Sequence, residues 1–304
     1  APSIIVPAAQ TVAEDTDLSI TGISVSDPDA GSAEIRLTLA VAHGLLTVKT
    51  NVSGGLTAAK VQGNGTASVV LTGTVQQITA TLDAVQGLVY RGQANYNGPD
   101  TLSVTADDQG NTGTGGAKND HEQVAITVTA ANDAPTITIP GIQAVPSGTE
   151  LSLSGITIDD PDAGTASIEV KFEVDHGTLT FKTDVAGGLV AGDIVGNGTA
   201  TVTVTGTVAK IKATLAATAG LKYLNTTGYT GPDTLTITAD DKGNSGAGGV
   251  KTATKDLAIT VAGVNQAPVI TVPAAQTGVE DTDLFVTGIS VSDADAGSGN
   301  VQVK

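Results

Sequence analysis

The stretch Leu18-Ser19-Ile20-Thr21-Gly22-Ile23-Ser24-Val25 alternates apolar and polar residues, and the acidic turn Asp27-Pro28-Asp29-Ala30-Gly31 follows it directly. A period of two is typical of a strand with one buried face, and Gly, Pro and Asp are typical of the turn that ends it. Similar runs lie at 3–6, 34–41, 45–50, 67–72, 87–91, 101–105 and 122–129. The pattern predicts an all-β, Ig-like sandwich of about seven to nine strands.

The whole pattern repeats at a fixed spacing of 133 residues, because the turn at position 27 returns at 160 and again at 293. The copies read Asp160-Pro161-Asp162-Ala163-Gly164 and Asp293-Ala294-Asp295-Ala296-Gly297. Self-similarity of this kind indicates a tandem array. The predicted domains are residues 1–133, 134–266 and 267–304. The last is the start of a third repeat, which predicts that the chain is a piece of a longer protein.

Composition limits the partners. The net charge is −17, with 14 Lys and Arg among 304 residues. Nucleic acids and anionic membrane surfaces attract basic proteins, so both are disfavoured and cations are the expected partners. Hydrophobic residues make up 40% of the chain, which indicates a folded protein. There is no Cys, and no apolar run of about 18 residues or leader pattern is present, so neither a disulfide nor a membrane span is expected in this stretch.

Two local patterns depart from simple alternation. Apolar residues spaced three and four apart over 75–85 predict a short helix, and 208–215 repeats this spacing. Gly63-Asn64-Gly65 and its equivalent Gly196-Asn197-Gly198 predict tight hairpin turns in which Asn-Gly supplies positive φ angles.

Acidic residues recur at the predicted strand ends. If the first strand runs from top to bottom, the strand order brings the lower pole of one repeat against the upper pole of the next. The first junction is then predicted to gather Glu14, Asp15, Asn132, Asp133, Asp160, Asp162, Asp240 and Asp241. The upper pole of the first repeat carries the equivalent acidic residues Asp27, Asp29, Asp107 and Asp108.

The second junction is predicted to bind cations less tightly. Its candidate ligands are Glu150, Asn265, Asp293 and Asp295. Gln266 replaces Asp133 there, and Ser147-Gly148 replaces Glu14-Asp15.

Such a cluster predicts a divalent cation. Like charges 4 Å apart repel by about 1 kcal/mol even in water, and more at lower dielectric. Calcium accepts six to eight oxygen ligands in loose geometry. Zinc is disfavoured, because the chain has no Cys and no clustered His. The alternative is that these residues are ordinary solvated turn residues, in which Asp accepts bonds from nearby backbone N–H groups.

A family resemblance adds to this interpretation. Asn132-Asp133-Ala134-Pro135 resembles the linker of cadherin-like repeats, and the turn at 160–164 resembles their Asp-x-Asp calcium turn. Tyr90 with 95–102, matched by Tyr223 with 228–235, is similar to the cadherin-like tandem repeats of large bacterial RTX-type surface adhesins. The resemblance covers the whole chain. It implies a non-enzymatic, extracellular extender, in which calcium between repeats holds an adhesive tip away from the cell and serves adhesion or biofilm formation.

Two other functions stay open at this stage. The repeats could bind a surface polysaccharide through loops such as 109–121. They could also assemble homotypically into a filament or sheath, if the unfinished strands within 269–291 complete a neighbouring subunit. His43 and His176 are predicted to be turn residues, and no arrangement of residues suggests catalysis. Tyr96 and Tyr229 are predicted to pack at a corner rather than to bind sugar, and the Gly-rich loops 110–116 and 243–249 are predicted to be flexible.

Overall fold

The computed structural model describes residues 1–110, 115–297 and 299–304. Each full repeat forms two β-layers around its own apolar core, as the alternating pattern predicts. The first repeat contains β1 (Ser3–Ile5), β2 (Gln10–Ala13), β3 (Asp17–Ser19), β4 (Ser24–Ser26), β5 (Ile35–Ala40), β6 (Gly44–Val48), β7 (Val61–Gln62), β8 (Ser68–Gly73), α1 (Val75–Leu82), β9 (Leu88–Gly92), β10 (Gly98–Asp107) and β11 (Asn119–Thr129), with a 3-10 turn at Ala58–Lys60.

The second repeat has the same element order as the first. It contains β12 (Thr136–Thr138), β13 (Gln143–Pro146), β14 (Glu150–Leu153), β15 (Thr157–Asp159), β16 (Ser167–Glu173), β17 (Gly177–Phe181), β18 (Ile194–Val195), β19 (Thr201–Thr207), α2 (Val208–Ala216), β20 (Leu221–Asn225), β21 (Gly231–Asp240) and β22 (Thr252–Ala262), with a 3-10 turn at Ala191–Asp193. The third unit contributes β23 (Val269–Thr271) and β24 (Ser290–Ser292).

The sheet topology fixes which residues meet at the poles. The larger sheet has the order β2-β11-β10-β5-β8-β7, and the second layer contains β3-β9-β6 and the pair β1-β4. β2 runs parallel to β11, with Val12 opposite Val128 and Ala13 opposite Thr129. Both strands therefore end at the same pole. The second repeat copies this arrangement, with β13 parallel to β22.

Each described repeat has eleven strands, more than the predicted seven to nine. The alternating stretch 18–25 accounts for part of the difference, because it forms the separate strands β3 and β4. Gly22 lies between them with φ of +82°, a left-handed conformation that interrupts the strand. The first strand is likewise divided, since β1 pairs with β4 and β2 pairs with β11.

The predicted helices are present. In α1, Ile78 and Leu82 are buried against the sandwich. Thr74 accepts from the Gln77 backbone N–H, and the Gln77 side chain accepts from the Thr74 N–H, which completes a capping box. Val85, the last residue of the predicted pattern, lies outside the helix and is exposed.

The Gly-Asn-Gly turns also form, with a different division of roles. Gly63 and Gly65 take the positive φ angles, +69° and +80°. The Asn64 side chain instead accepts from the N–H of Val48 at 2.7 Å and donates to its carbonyl at 2.9 Å. It therefore ties the hairpin to β6, and Asn197 makes the same pair of bonds to Phe181.

The third unit exposes residues whose equivalents are buried in the first repeat. Ile270, Val286 and Ile289 are at least half exposed, whereas their equivalents Ile4, Ile20 and Ile23 lie in the core. Homotypic completion of this unit stays a prediction. None of the helices in the described part of the chain is long and apolar enough to cross a membrane.

A buried hydrogen bond between a tyrosine and an aspartate stabilises each repeat at its lower corner, near the pole where the first repeat's β2 and β11 end. Tyr223 is fully buried, and its hydroxyl donates to Asp233 Oδ2 at 2.6 Å. Burial and the Asp233 carboxylate raise the pKa of Tyr223, so it stays neutral at physiological pH. Tyr90 and Asp100 make the equivalent bond at 2.9 Å in the first repeat.

Tyr223→Phe is expected to lower the unfolding free energy of the second repeat by about 1.5–3 kcal/mol, since it removes a buried bond to a charged group. Calorimetric unfolding would measure the loss. Tyr229→Phe is the matched control, because that hydroxyl belongs to a partly exposed ring and donates to Pro232 O. An equal loss in both variants would contradict the assignment.

Candidate metal site at the first junction

The linker at 130–135 passes directly beside a buried carboxylate. The backbone N–H of Glu14 donates to Thr129 O at 2.9 Å, at the end of β11. Its side-chain Oε1 accepts from the Ala131 N–H at 2.7 Å. Glu14 is 1% exposed, and its second oxygen, Oε2, has no hydrogen-bond partner. Burying a carboxylate oxygen without a partner is unfavourable, so this atom marks a position where a cation would be stabilising.

A second buried carboxylate approaches from the second repeat. Asp160 follows β15, and its Oδ1 accepts from the N–H groups of Asp162 and Ala163, both at 3.0 Å. Its other oxygen, Oδ2, is buried and has no partner. Burial raises the pKa of Asp160, and the charges of Asp241 and Asp162 add to the shift.

Asp162 and Asp241 bind the linker itself. The N–H of Asp133 donates to Asp162 Oδ2. Asp241 Oδ2 accepts from the Asn132 side-chain amide at 2.5 Å, while its Oδ1 accepts from the N–H groups of Gly243 and Lys251. Although burial acts to raise it, the bonds from Lys251, Gly243 and Asn132 hold the pKa of Asp241 below its ordinary value.

Asn95 joins this group, although the sequence analysis did not select it as a site residue. Its amide lies 3.2 Å from Asp15 Oδ2 and 3.1 Å from Asp133 Oδ2, and it donates to both when its nitrogen faces them. Turned the other way, its oxygen would complete a set of three oxygens. One signal was present in the sequence, because the repeat pattern breaks here and Gly228 occupies the equivalent position.

Asp240 lies apart from the other predicted ligands. Successive strand residues face opposite sides of a sheet, so Asp240 points away from the face that Asp241 shares with the linker. It caps the next turn by accepting from the Lys242 N–H at 2.7 Å. Asp107 does the same for Gln109 and pairs with Arg36. The predicted set therefore included a residue that the pleat turns outward.

The upper pole of the first repeat has the same geometry. Asp27 Oδ2 is buried and has no partner, and burial together with the Asp29 charge raises the pKa of Asp27. The N-terminal ammonium of Ala1 lies 3.6 Å from Asp27 and 3.2 Å from Asp29. Asp108 accepts from Gly110 and Lys118, as Asp241 does in the second repeat.

The second junction is built differently. Asn225 is buried, accepts from the Gly148 N–H at 2.7 Å and donates to the carbonyls of Pro146 and Thr149. It thus holds the turn that Glu14 and Asp15 form in the first repeat, and its own equivalent there is Gly92. Of the four residues predicted as ligands, Glu150 pairs with Lys222 and Asn265 is exposed. The Asp295 carboxylate accepts from the Gln266 N–H, and the Asp295 N–H donates to Asp293 Oδ1.

The aromatic residues of the lower corner pack against histidine. His43 stacks on Tyr96 with ring centroids 4.3 Å apart, and His176 stacks on Tyr229 at 3.9 Å. One face of each tyrosine is therefore covered, which is the corner packing that the sequence predicted. Of the loop 109–121 considered for sugar binding, residues 111–114 lie outside the described part of the chain.

The carboxylates surround the linker without forming a finished cage. In the described part of the chain, no three His, Asp or Glu side chains stand together in metal-binding positions. Some of the oxygens near the linker belong to a side-chain amide and to backbone carbonyls. Calcium accepts such oxygens as ligands in loose geometry. Cation binding would therefore require these side chains to move closer together.

No protein-family model and no curated protein sequence matches the chain. Similar solved structures include the EC21-23 fragment of human CDH23, with 13% identity and a TM-score of 0.39, covering 97% of this chain and 81% of that one. They also include extracellular cadherin domains 1-5 of protocadherin gamma B2, with 13% identity and a TM-score of 0.36, covering 87% of this chain and 40% of that one. The EC22-24 fragment of mouse cadherin-23 matches with 17% identity and a TM-score of 0.31, covering 90% and 70%. The chain spans less than half of the protocadherin fragment.

Asp160→Asn is expected to raise the unfolding free energy of the second repeat at pH 7 in metal-free buffer. Its folded pKa lies above the ordinary aspartate value of 3.8, so ionisation at neutral pH opposes folding, and this penalty disappears as the pH falls through the folded pKa. Asp241→Asn is expected to have the opposite effect. Its pKa is lowered, so it stabilises the fold above about pH 3.8 and loses this contribution at lower pH.

Thermal unfolding between pH 7 and pH 4 in excess chelator would test both. The difference between wild type and Asp160→Asn should shrink as the pH falls. Destabilisation by Asp160→Asn at pH 7 would show that its ionised form is already compensated without a metal.

Proposed function

We propose that the chain is an extender segment of an extracellular adhesion protein, and that calcium bound at the first junction stiffens it. The observation that carries the proposal is the pair of buried oxygens without partners, Glu14 Oε2 and Asp160 Oδ2, which approach one linker from different repeats. A cation held by both would connect the two sandwiches. Bending the junction would then require breaking metal bonds.

The available donors favour calcium. The residues that would hold it are Glu14, Asp15, Asn95, Asp133, Asp160 and Asp162, all of which offer oxygen. Hard oxygen ligands suit calcium, which tolerates irregular geometry, whereas magnesium prefers near-octahedral geometry and keeps several waters.

The mechanism is electrostatic. Without a cation, the buried carboxylates Glu14 and Asp160, which the two repeats bring to the linker, would repel each other. This repulsion would favour a bent arrangement of the two repeats. With calcium bound, the repulsion becomes attraction through a shared ion. The bacterial RTX-type origin, the role in biofilm and the cell-surface location belong to this proposal and rest on the resemblance of the linker and turn motifs.

The second junction would bind calcium less tightly in this scheme. Asn225 already satisfies its turn with neutral hydrogen bonds, and Gly228 supplies no amide in place of Asn95. The chain would thus have a stiffer first junction and a more compliant second one. This difference would let the extender bend at the second junction.

The proposal predicts that Glu14→Gln combined with Asp160→Asn weakens calcium binding by at least about tenfold, or about 1.4 kcal/mol. Titration calorimetry on the full chain would measure the affinity. Small-angle X-ray scattering should show that calcium increases the maximum dimension of the wild type and leaves the double variant unchanged.

Asp107→Asn combined with Asp240→Asn is the matched control. It removes the same number of negative charges, but from residues that cap turns away from the linker. If both double variants lose calcium equally, general charge rather than the junction is responsible, and the proposal fails.

A further inference from the structure

We propose that the loop 243–249 is a receptor for the linker strand 130–132, and that it joins the two repeats without any cation. We call this contact the linker latch. It is distinct from the proposed calcium site, because its bonds are made by backbone groups and by the Asn132 amide, and the one carboxylate among its acceptors, Asp241, is not among the residues proposed to hold calcium. The loop belongs to the second repeat, and the strand that it binds leaves the first.

The backbone part of the latch is a short parallel β-bridge between Ala131 and Ala247. The Ala247 N–H donates to Ala130 O at 3.1 Å, and the Asn132 N–H donates to Ala247 O at 2.9 Å. The loop therefore binds the linker in the conformation of an extended strand. Main-chain recognition of this type holds an extended segment through its backbone and uses side chains for register.

Asn132 provides the register. Its side-chain amide donates to Gly249 O at 2.7 Å and to Asp241 Oδ2 at 2.5 Å. The residue is 2% exposed. The equivalent residue at the second junction, Asn265, is exposed.

The loop is also bound to its own repeat by contacts that do not involve the linker. Asp241 Oδ1 closes its base by accepting from the N–H groups of Gly243 and Lys251. The Asn244 amide donates to Ser167 O at 2.6 Å, and the Ser245 hydroxyl donates to Asp162 O at 2.6 Å. A receptor that is already ordered loses little conformational entropy on binding.

Gly246 makes the close approach possible. Its φ is +79°, and a Cβ at this position would lie 2.5 Å from both Ala131 C and Asn132 N. Any side chain would therefore push the linker away. Gly187 lies outside the latch and has a similar φ of +71°, but no atom lies within 4 Å of a Cβ there. The two glycines separate the effect of linker contact from the effect of backbone strain.

The two repeats would therefore be connected in two independent ways, by the latch and by the candidate cation site. The latch holds the side of the linker that faces Asp241, whereas the candidate cation site lies between Glu14 and Asp160. Removing the cation should leave the repeats coupled through the latch. Removing the latch should loosen them even before any cation is considered.

The test uses the full chain in excess chelator, so that it does not depend on calcium. The chain has no Cys. The exposed residues Val85 and Val195 can therefore be changed as Val85→Cys and Val195→Cys and spin-labelled. We expect a narrow distance distribution by pulsed electron paramagnetic resonance, a broad one with Gly246→Val or Asn132→Ala, and a narrow one with Gly187→Val.

Hydrogen exchange of the Asn132 and Ala247 N–H groups gives a second readout. Both should be protected in chelator, and Gly246→Val should accelerate their exchange by at least about tenfold while the β21 and β22 amides stay protected. A wild type as broad as Gly246→Val, or equal broadening with Gly187→Val, would overturn the latch. If the wild type binds no calcium in the separate titration, only the proposed calcium function is overturned.

Discussion

The burial of carboxylates beside an interdomain linker is the constraint on which the rest of the arrangement depends. Glu14 and Asp160 come from different repeats, and each has one oxygen bonded to backbone N–H groups and one without a partner. An enclosed oxygen of this kind is costly unless a proton or a cation compensates it. The sandwiches must place these side chains accurately, because a shift of one residue in either strand would turn them to another face.

The sandwich achieves this placement through its first strand. By dividing into β1 and β2, that strand contacts both layers and ends alongside the last strand, β11. The parallel pairing brings Glu14 to the residues that leave the repeat. The aliphatic core supports this geometry, and the buried pairs Tyr90–Asp100 and Tyr223–Asp233 fix the lower corner with few aromatic residues.

The two junctions show how one scaffold can carry different joints. The turn after β2 contains Glu14 and Asp15, whereas the turn after β13 contains Ser147 and Gly148 and is held by the Asn225 amide. A neutral amide can satisfy backbone groups from both sides, because it donates and accepts. A carboxylate can only accept, so it needs N–H donors or a positive charge. The choice between these side chains therefore sets whether the turn needs a further N–H donor or a positive charge.

The sequence by itself determined the repeat length, the sandwich class, the short helix and the grouping of acidic residues at strand ends, because these depend on local periodicity and on turn chemistry. Only the tertiary structure decided that Asp241 and not Asp240 faces the linker, that Asn95 reaches Asp15 and Asp133, and that the loop 243–249 binds the strand 130–132. Those outcomes depend on the pleat, on contacts between residues up to 117 positions apart such as Asn132 and Gly249, and on backbone hydrogen bonds. Backbone groups are the same in every residue, so their pairing leaves no mark on the local sequence pattern.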